Sequence, residues 1–251
     1  MKKITILYIF ICLATFSGLA QFRDSFDYSK VILPNFSYTY AKPLGLYGER
    51  FGAANAVGAG LMFKTKSNWL FGVEYNTYFG SKVKENILAN LYASGNGIIN
   101  TEGVYDEIKL YHRGFYSMAF AGKVFPLGVN KNSGIIFKLG LGAMQHKIKM
   151  VYEELYLPAL AGDNYKGYDR LTNGLIIYQF LGYQLLDPRK RLDFFIGVDL
   201  LHGYTENRRS WNWDTRERDT RKRVDVQLGL KAGIIVPIYR KQKSDELFFE
   251  D

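Results

Sequence analysis

Strict alternation of apolar and polar positions is the strongest signal in this chain, and it is clearest near the C-terminus. Between Arg223 and Tyr239, Val224, Val226, Leu228, Leu230, Ala232, Ile234, Val236 and Ile238 are apolar, and Arg223, Asp225, Gln227, Gly229, Lys231 and Gly233 lie between them. A period of two sets these groups on opposite faces of one strand. The segment before it repeats the pattern, with Leu192, Phe194, Ile196, Val198 and Leu200 against Asp193, Gly197 and Asp199. Ile135, Phe137, Leu139, Leu141 and Ala143 alternate with Lys138, Gly140 and Gly142, and Trp69, Phe71, Val73 and Tyr75 with Gly72, Glu74, Asn76 and Tyr78. Weaker alternation runs through residues 32–41, 53–64 and 110–124. Over residues 171–185 two facings stay open, because either Leu175, Ile177 and Leu181 or Ile176, Tyr178 and Phe180 can be the outward set.

These segments predict about eight strands, and the connections between them fall into two kinds. Residues 65–68, 126–134 and 187–191 are short and turn-rich. Residues 42–52, 81–107, 149–170 and 205–222, at the opposite end, are mostly longer, polar and irregular. An all-β chain of this kind, with short periplasmic turns and long outer loops, is expected to form an antiparallel transmembrane β-barrel. The barrel would occupy residues 31–239, between a periplasmic segment at 21–30 and a periplasmic tail at 240–251. Aromatic residues gather where the two water boundaries would lie: Tyr38, Tyr40, Tyr78, Phe79, Tyr111 and Tyr204 on the outer side, Phe63, Trp69, Phe125, Phe194 and Tyr239 on the inner. A soluble exported barrel would instead bury its aliphatic face and turn its charges outward, with shorter loops at both ends.

Composition narrows the class further. A length of 251 residues suits one such domain, and the 16% aromatic content is dominated by Tyr and Phe. The chain starts Met1-Lys2-Lys3, continues with an apolar run to Phe16, and reaches Ser17-Gly18-Leu19-Ala20 before Gln21. A positive start, a short apolar core and small residues ahead of a polar break predict an export signal over residues 1–20, cleaved after Ala20. Cys12, the only cysteine, would leave with it, so no disulfide or thiol chemistry is expected. Removing Lys2 and Lys3 takes the formal charge from +9 to +7. Downstream of the signal no apolar run approaches the length of a membrane helix, so a membrane-embedded mature chain must cross with strands.

Near the end of the last strand, Lys231-Ala232-Gly233-Ile234-Ile235-Val236-Pro237-Ile238 follows a pattern of polar residue, any residue, Gly, two of any kind, then hydrophobic residues two apart. In this segment and in its strand and loop plan the chain resembles small outer-membrane barrels of the OmpX, OmpA-domain and OmpW kind. The ending Leu19-Ala20-Gln21 resembles exported proteins of Bacteroidota. The resemblance implies that Lys231, Gly233, Val236 and Ile238 belong to a signal read by the barrel-assembly machinery, as an edge strand that pairs in trans. Pro237 inside the segment and the further residues 240–251 depart from the family pattern; Pro lacks a backbone donor and is tolerated near a strand end.

The candidate chemistry lies in three places. An eight-stranded barrel is just wide enough for side chains, so Glu74, Lys123, Lys138, Asp193, Asp199, Asp225 and Lys231 are expected to form a paired charge network inside it. The loop at 205–222 and the start of the next strand carry the densest charge, with Arg208, Arg209, Arg216 and Arg218 around Trp211 and Trp213; guanidinium groups suit phosphate, so this is the candidate outer contact for lipopolysaccharide or an acidic partner. Residues 84–92 predict one short amphipathic helix over the barrel mouth. His112, His146 and His202 fall on separate strands without metal-ligand spacing, and no cofactor or metal is expected. A lipid A deacylase of the PagL kind would need a Ser beside a His on neighbouring strands; His202 is followed by Gly203 and Tyr204, and Ser210 is in a loop. The expected function is therefore a non-enzymatic, porin-like envelope barrel with a structural or interaction role. Its alternatives are an accessory barrel of a type IX-like secretion machine and a carrier of small hydrophobic molecules. Its partners are outer-membrane lipid and lipopolysaccharide, the assembly machinery and an envelope protein complex, and not nucleic acid.

Overall fold

A computed structural model describes residues 30–92, 98–106, 108–128, 130–152, 157–187 and 192–239. The expected export signal, Cys12, the segment at 21–29, part of the turn at 187–191 and the tail at 240–251 lie outside the described residues. The barrel strands are β1 (Val31–Leu44), β2 (Ala54–Lys64), β3 (Trp69–Gly80), β4 (Lys109–Pro126), β5 (Gly134–Val151), β6 (Thr172–Leu185), β7 (Asp193–Asn207) and β8 (Lys222–Ile235). Each pairs antiparallel with its neighbour in sequence, and β8 pairs with β1 to close the ring. A short piece, Ile238–Tyr239, continues along β1 after the break at Val236 and Pro237.

Closure fixes the tilt. Following paired residues from Pro34 through Leu61, Val73, Ala119, Leu141, Ile177, His202 and Val226 returns to β1 at Leu44, ten positions from the start. A stagger of that size on eight strands tilts them by about 40° and leaves a core that side chains can fill.

The facing of the side chains gives the barrel its class. Leu230 is 64% exposed and Leu175 71%, while Lys231 is 1% exposed and Asp225 is fully buried. Aliphatic groups coat the outside and ions occupy the inside, the reverse of a soluble barrel. This is the arrangement of an eight-stranded transmembrane β-barrel. The register settles the two facings left open over 171–185: Leu175, Ile177 and Leu181 point out, and Ile176, Tyr178 and Phe180 point in. Tyr78, expected in the outer girdle, is instead buried inside, because it shares parity with Glu74 and Asn76 on β3.

The two ends differ. At the short-turn end, Thr65 N–H donates to Trp69 O at 2.8 Å and Asn68 takes the left-handed conformation (φ 63°), which Asn tolerates. Leu33, Leu70, Val124 and Ile136 are fully buried just inside it, and Lys64 Nζ donates to Asn132 Oδ1 at 2.7 Å across the opening. At the long-loop end a six-residue helix, α1 (Gly45–Arg50), turns Tyr47 into the barrel, followed by Phe51. Residues 84–92 form turns rather than the expected helix, and Ile87 and Leu88 are both fully buried among the loops.

Candidate functional site

The lumen brings together residues far apart in sequence. Lys231 on β8 reaches across to β3 and forms a fully buried ion pair with Glu74. Asn76 Nδ2 donates to Glu74 Oε1 at 3.1 Å, and Lys231 Nζ lies 3.4 Å from both Asn76 Oδ1 and the Tyr178 hydroxyl. The hydroxyl of Tyr178 donates to Asp199 Oδ2 at 3.4 Å, which extends the chain of contacts to β7. Room for these groups comes from inward glycines: a Cβ at Gly58 would lie 2.1 Å from Asn76 Oδ1, and one at Gly229 would lie 2.0 Å from Asp199 Oδ1.

Lys138 is held differently. Its Nζ lies 4.8 Å from the ring centre of Phe120, 5.1 Å from Phe180 and 4.6 Å from Phe195, and no carboxylate of the described residues forms an ion pair with it. Three aromatic faces around one ammonium form a cation–π cage. Asp193, near the short-turn end, accepts from the backbone N–H of Asp187 at 2.6 Å.

Lys123 is not in the lumen. On β4 the inward residues are His112, Tyr116, Met118, Phe120 and Val124, so Lys123 has the opposite parity. It lies on the outer wall over the rings of Trp69 (5.1 Å) and Phe125 (5.8 Å), where its stem covers apolar surface and its ammonium reaches the water boundary. The inward apolar residues of β4 blur the polarity contrast that would have revealed the facing.

Nearer the loops is a second cluster that the spacing of the histidines in sequence does not reveal. Phe51 stacks on His112 with ring centres 3.9 Å apart, and the Tyr47 hydroxyl lies 3.0 Å from His112 Nε2. His146 Nε2 is 3.0 Å from Asp225 Oδ2, which also accepts from Thr205 Oγ1 at 2.6 Å. His112, His146 and Asp225 are all fully buried. Their inward parity on β4, β5 and β8 was the available signal; the insertion of α1 between them was not. His202 lies on the outward face of β7, away from this cluster.

Above the cluster the loops knit into a lid. Glu85 accepts from Arg50 Nε at 2.8 Å and from Arg170 Nε at 2.9 Å, and Arg170 also pairs with Asp214. Burial pushes the Glu85 carboxyl up, but Arg50 and Arg170 together outweigh it and hold the group below its ordinary value. Arg209 grips Asp169 through Nε at 2.8 Å and Nη2 at 2.5 Å, and Asp219 pairs with Arg221 and Arg223. Asn90 Nδ2 donates to the Tyr168 hydroxyl at 3.2 Å, and Trp213 N–H to Gly167 O at 3.1 Å.

The candidate outer contact therefore divides. Arg209 is tied into the lid, and Arg208 pairs with Glu206 and Asn173. Trp213 touches Gly167 with one side of its ring yet stays exposed, as do Trp211, Arg216 and Arg218. Of the residues assigned to the assembly signal, Lys231 and Gly233 face in and Val236 and Ile238 face out, and the strand stops at Ile235 rather than running on. Val236 N–H still donates to Pro34 O at 2.8 Å, and Pro237, with no donor, marks the break before pairing resumes at Ile238.

No protein-family model and no curated protein matches the sequence. Solved structures similar to the chain include Ail, the attachment invasion locus protein of Yersinia pestis, in complex with the heparin analogue sucrose octasulfate. It is 12% identical, covers 83% of this chain and 98% of its own, and has a TM-score of 0.42. Neisserial surface protein A is 13% identical over 82% of this chain and 96% of its own (TM-score 0.41). The outer membrane protein OprG from Pseudomonas aeruginosa is 11% identical over 83% and 96% (TM-score 0.33). At these TM-scores the likeness carries no argument about function; the barrel is read from its own register and burial.

Proposed function

We propose that this chain is a closed outer-membrane barrel with a structural or interaction role in the envelope and no catalytic one. The observation that supports this most directly is the filling of the cylinder: Lys231, Glu74, Asn76, Tyr178 and Asp199 occupy its middle, and α1 with the knitted loops covers one end. A lumen lined by buried charged and polar groups does not suit passage of small hydrophobic molecules, which calls for an apolar path. On this reading residues 1–20 direct export and are removed after Ala20, and the long loops face outward. The last strand around Lys231, Gly233, Val236 and Ile238 guides assembly, and residues 240–251 lie in the periplasm.

The surface left for a partner is then the lid and the outer wall. Affinity capture of the full-length protein from native outer membranes in mild detergent tests this. An interaction role predicts a reproducible companion protein that is lost when the exposed Trp211, Arg216 and Arg218 are changed together; a type IX-like accessory role predicts that the companions are components of one large complex. In planar bilayers the wild type is expected to show no conductance above leak. A steady open channel would overturn the closed-cylinder reading.

A further inference from the structure

On the outer wall, three neighbouring cations make no ion pair with any acid of the described residues. Near the long-loop end, the outward residues of β4 and β5 include Tyr111, Arg113, Lys147 and Lys149, and the register sets Arg113 directly opposite Lys147 and Tyr111 opposite Lys149. Among the described residues no acid forms an ion pair with Arg113, Lys147 or Lys149. Arg113 donates only to the carbonyl oxygens of Gly80 and His112, at 3.1 and 3.0 Å, and lies over the Tyr111 ring at 4.9 Å. Like charges directly opposite on one face of a ladder repel, so this pair is favourable only with an anion to share.

Toward the middle of the same wall an apolar groove of about 1100 Å³ crosses the strands. Its floor is Ser117, Ala119 and Ala143, and Tyr75, Leu175 and Tyr204 stand along it. Ser117 lies four residues from Arg113 on β4, about 13 Å along the strand. The cations thus stand about 13 Å along the strand from an open apolar groove, toward the end where the apolar band gives way to polar residues.

We propose that this wall binds a phosphate-bearing, acylated lipid of the leaflet that meets the long loops. The phosphate lies among Arg113, Lys147 and Lys149, and an acyl chain runs in the groove over Ala119 and Ala143. A guanidinium fork matches phosphate oxygens two at a time, and the two ammonium groups add charge without geometric demand. A free anion would satisfy the cations but leave the groove unused, and a soluble polyanion likewise. The assignment rests on the outer-membrane reading.

The test uses the full-length barrel purified in detergent, incubated with diphosphoryl lipid A and passed through gel filtration, with bound lipid counted by native mass spectrometry. The wild type is expected to retain the lipid. The R113Q/K147Q/K149Q variant and, separately, Ala119→Phe/Ala143→Phe should each retain about tenfold less. Dephosphorylated lipid A should not be retained, and millimolar inorganic phosphate should not displace the intact lipid. Equal retention by either variant or of the dephosphorylated lipid would overturn the site, as would displacement by phosphate or by a soluble sulfated polysaccharide. Gel mobility of unheated and boiled samples separates the two failures: a wild type with no heat-dependent shift contradicts the membrane-barrel reading, whereas a normal shift without lipid retention contradicts this site alone.

Discussion

Lys231 and Arg170 are both nearly buried cations, but they belong to regions built on different terms. Lys231 sits inside the ring of strands and joins β8 to Glu74 on β3, which lies 157 residues away in sequence. Arg170 sits among loops and joins Glu85 to Asp214, in a lid whose rim is wet. In the first region the walls exclude water, so an unmatched charge has nowhere to go. In the second, a broken pair can be hydrated after a small opening. Lumen pairs should therefore govern whether the barrel stands, and lid pairs whether its mouth stays shut.

The largest effect should come from breaking the lumen pair. Glu74→Leu leaves Lys231 buried without its carboxylate and is expected to cost about 3–5 kcal/mol, read as a lower urea midpoint of unfolding from lipid bilayers. The double change Glu74→Leu with Lys231→Met should recover most of that loss, since an apolar pair of similar volume removes the unmet charge. If the single variant is as stable as the wild type, the contrast between lumen and lid fails.

A smaller and more local effect is expected in the lid. Arg170→Ala releases both Glu85 and Asp214 and should loosen the lid by about 1–3 kcal/mol. Hydrogen exchange should rise in the loop segments around 82–92 and 211–219 while the strand amides stay protected. Acid should act on the same contacts. The Glu85 carboxyl is held below its ordinary value of 4.5, so its contribution is complete above that pH and is lost as pH falls through the lower folded-state value. Protection factors of the loop amides, which correct for the slowing of intrinsic exchange by acid, should thus fall below pH 4.5 in the wild type, and the fall should be blunted in Glu85→Gln.

Lys138 sharpens the comparison from inside the barrel. Its ammonium faces rings rather than a carboxylate, so Lys138→Met gives up a cation–π attraction of about 2 kcal/mol but also the cost of burying a charge. The net change should be near zero, well below that of Glu74→Leu by the same urea assay. Smallest of all, Arg218→Ala at the exposed rim should alter stability by less than about 0.5 kcal/mol.

Much of this was legible in the alternation of the chain. The apolar and polar sets of residues 223–235 predict both the last strand and its facing, and the parity of Glu74, Lys138, Asp193, Asp199, Asp225 and Lys231 predicts six inward ions. Three things were not legible, each for a physical reason. Both faces of residues 171–185 are apolar, so only pairing with β5 and β7 decides which looks out. Lys123 lies on a strand whose inward face carries Phe120 and Val124, so a charge there does not mark the wet side. The lid depends on contacts among four loops, such as Arg170 with Glu85, that no local period encodes; of the arginines that read as an outward patch, Arg208 and Arg209 are spent on Glu206 and Asp169.

The central claim is a closed barrel with lipid outside and ions inside, and electrophoresis of the lipid-folded protein with and without boiling tests it most directly. The account predicts one compact band in the unheated sample that moves to the position of the unfolded chain after boiling, with the compact band strongly reduced in Leu230→Arg. That change places a charge on the lipid face at a cost of about 2–4 kcal/mol. Identical mobility before and after boiling, or a compact band unaffected by Leu230→Arg, would contradict it.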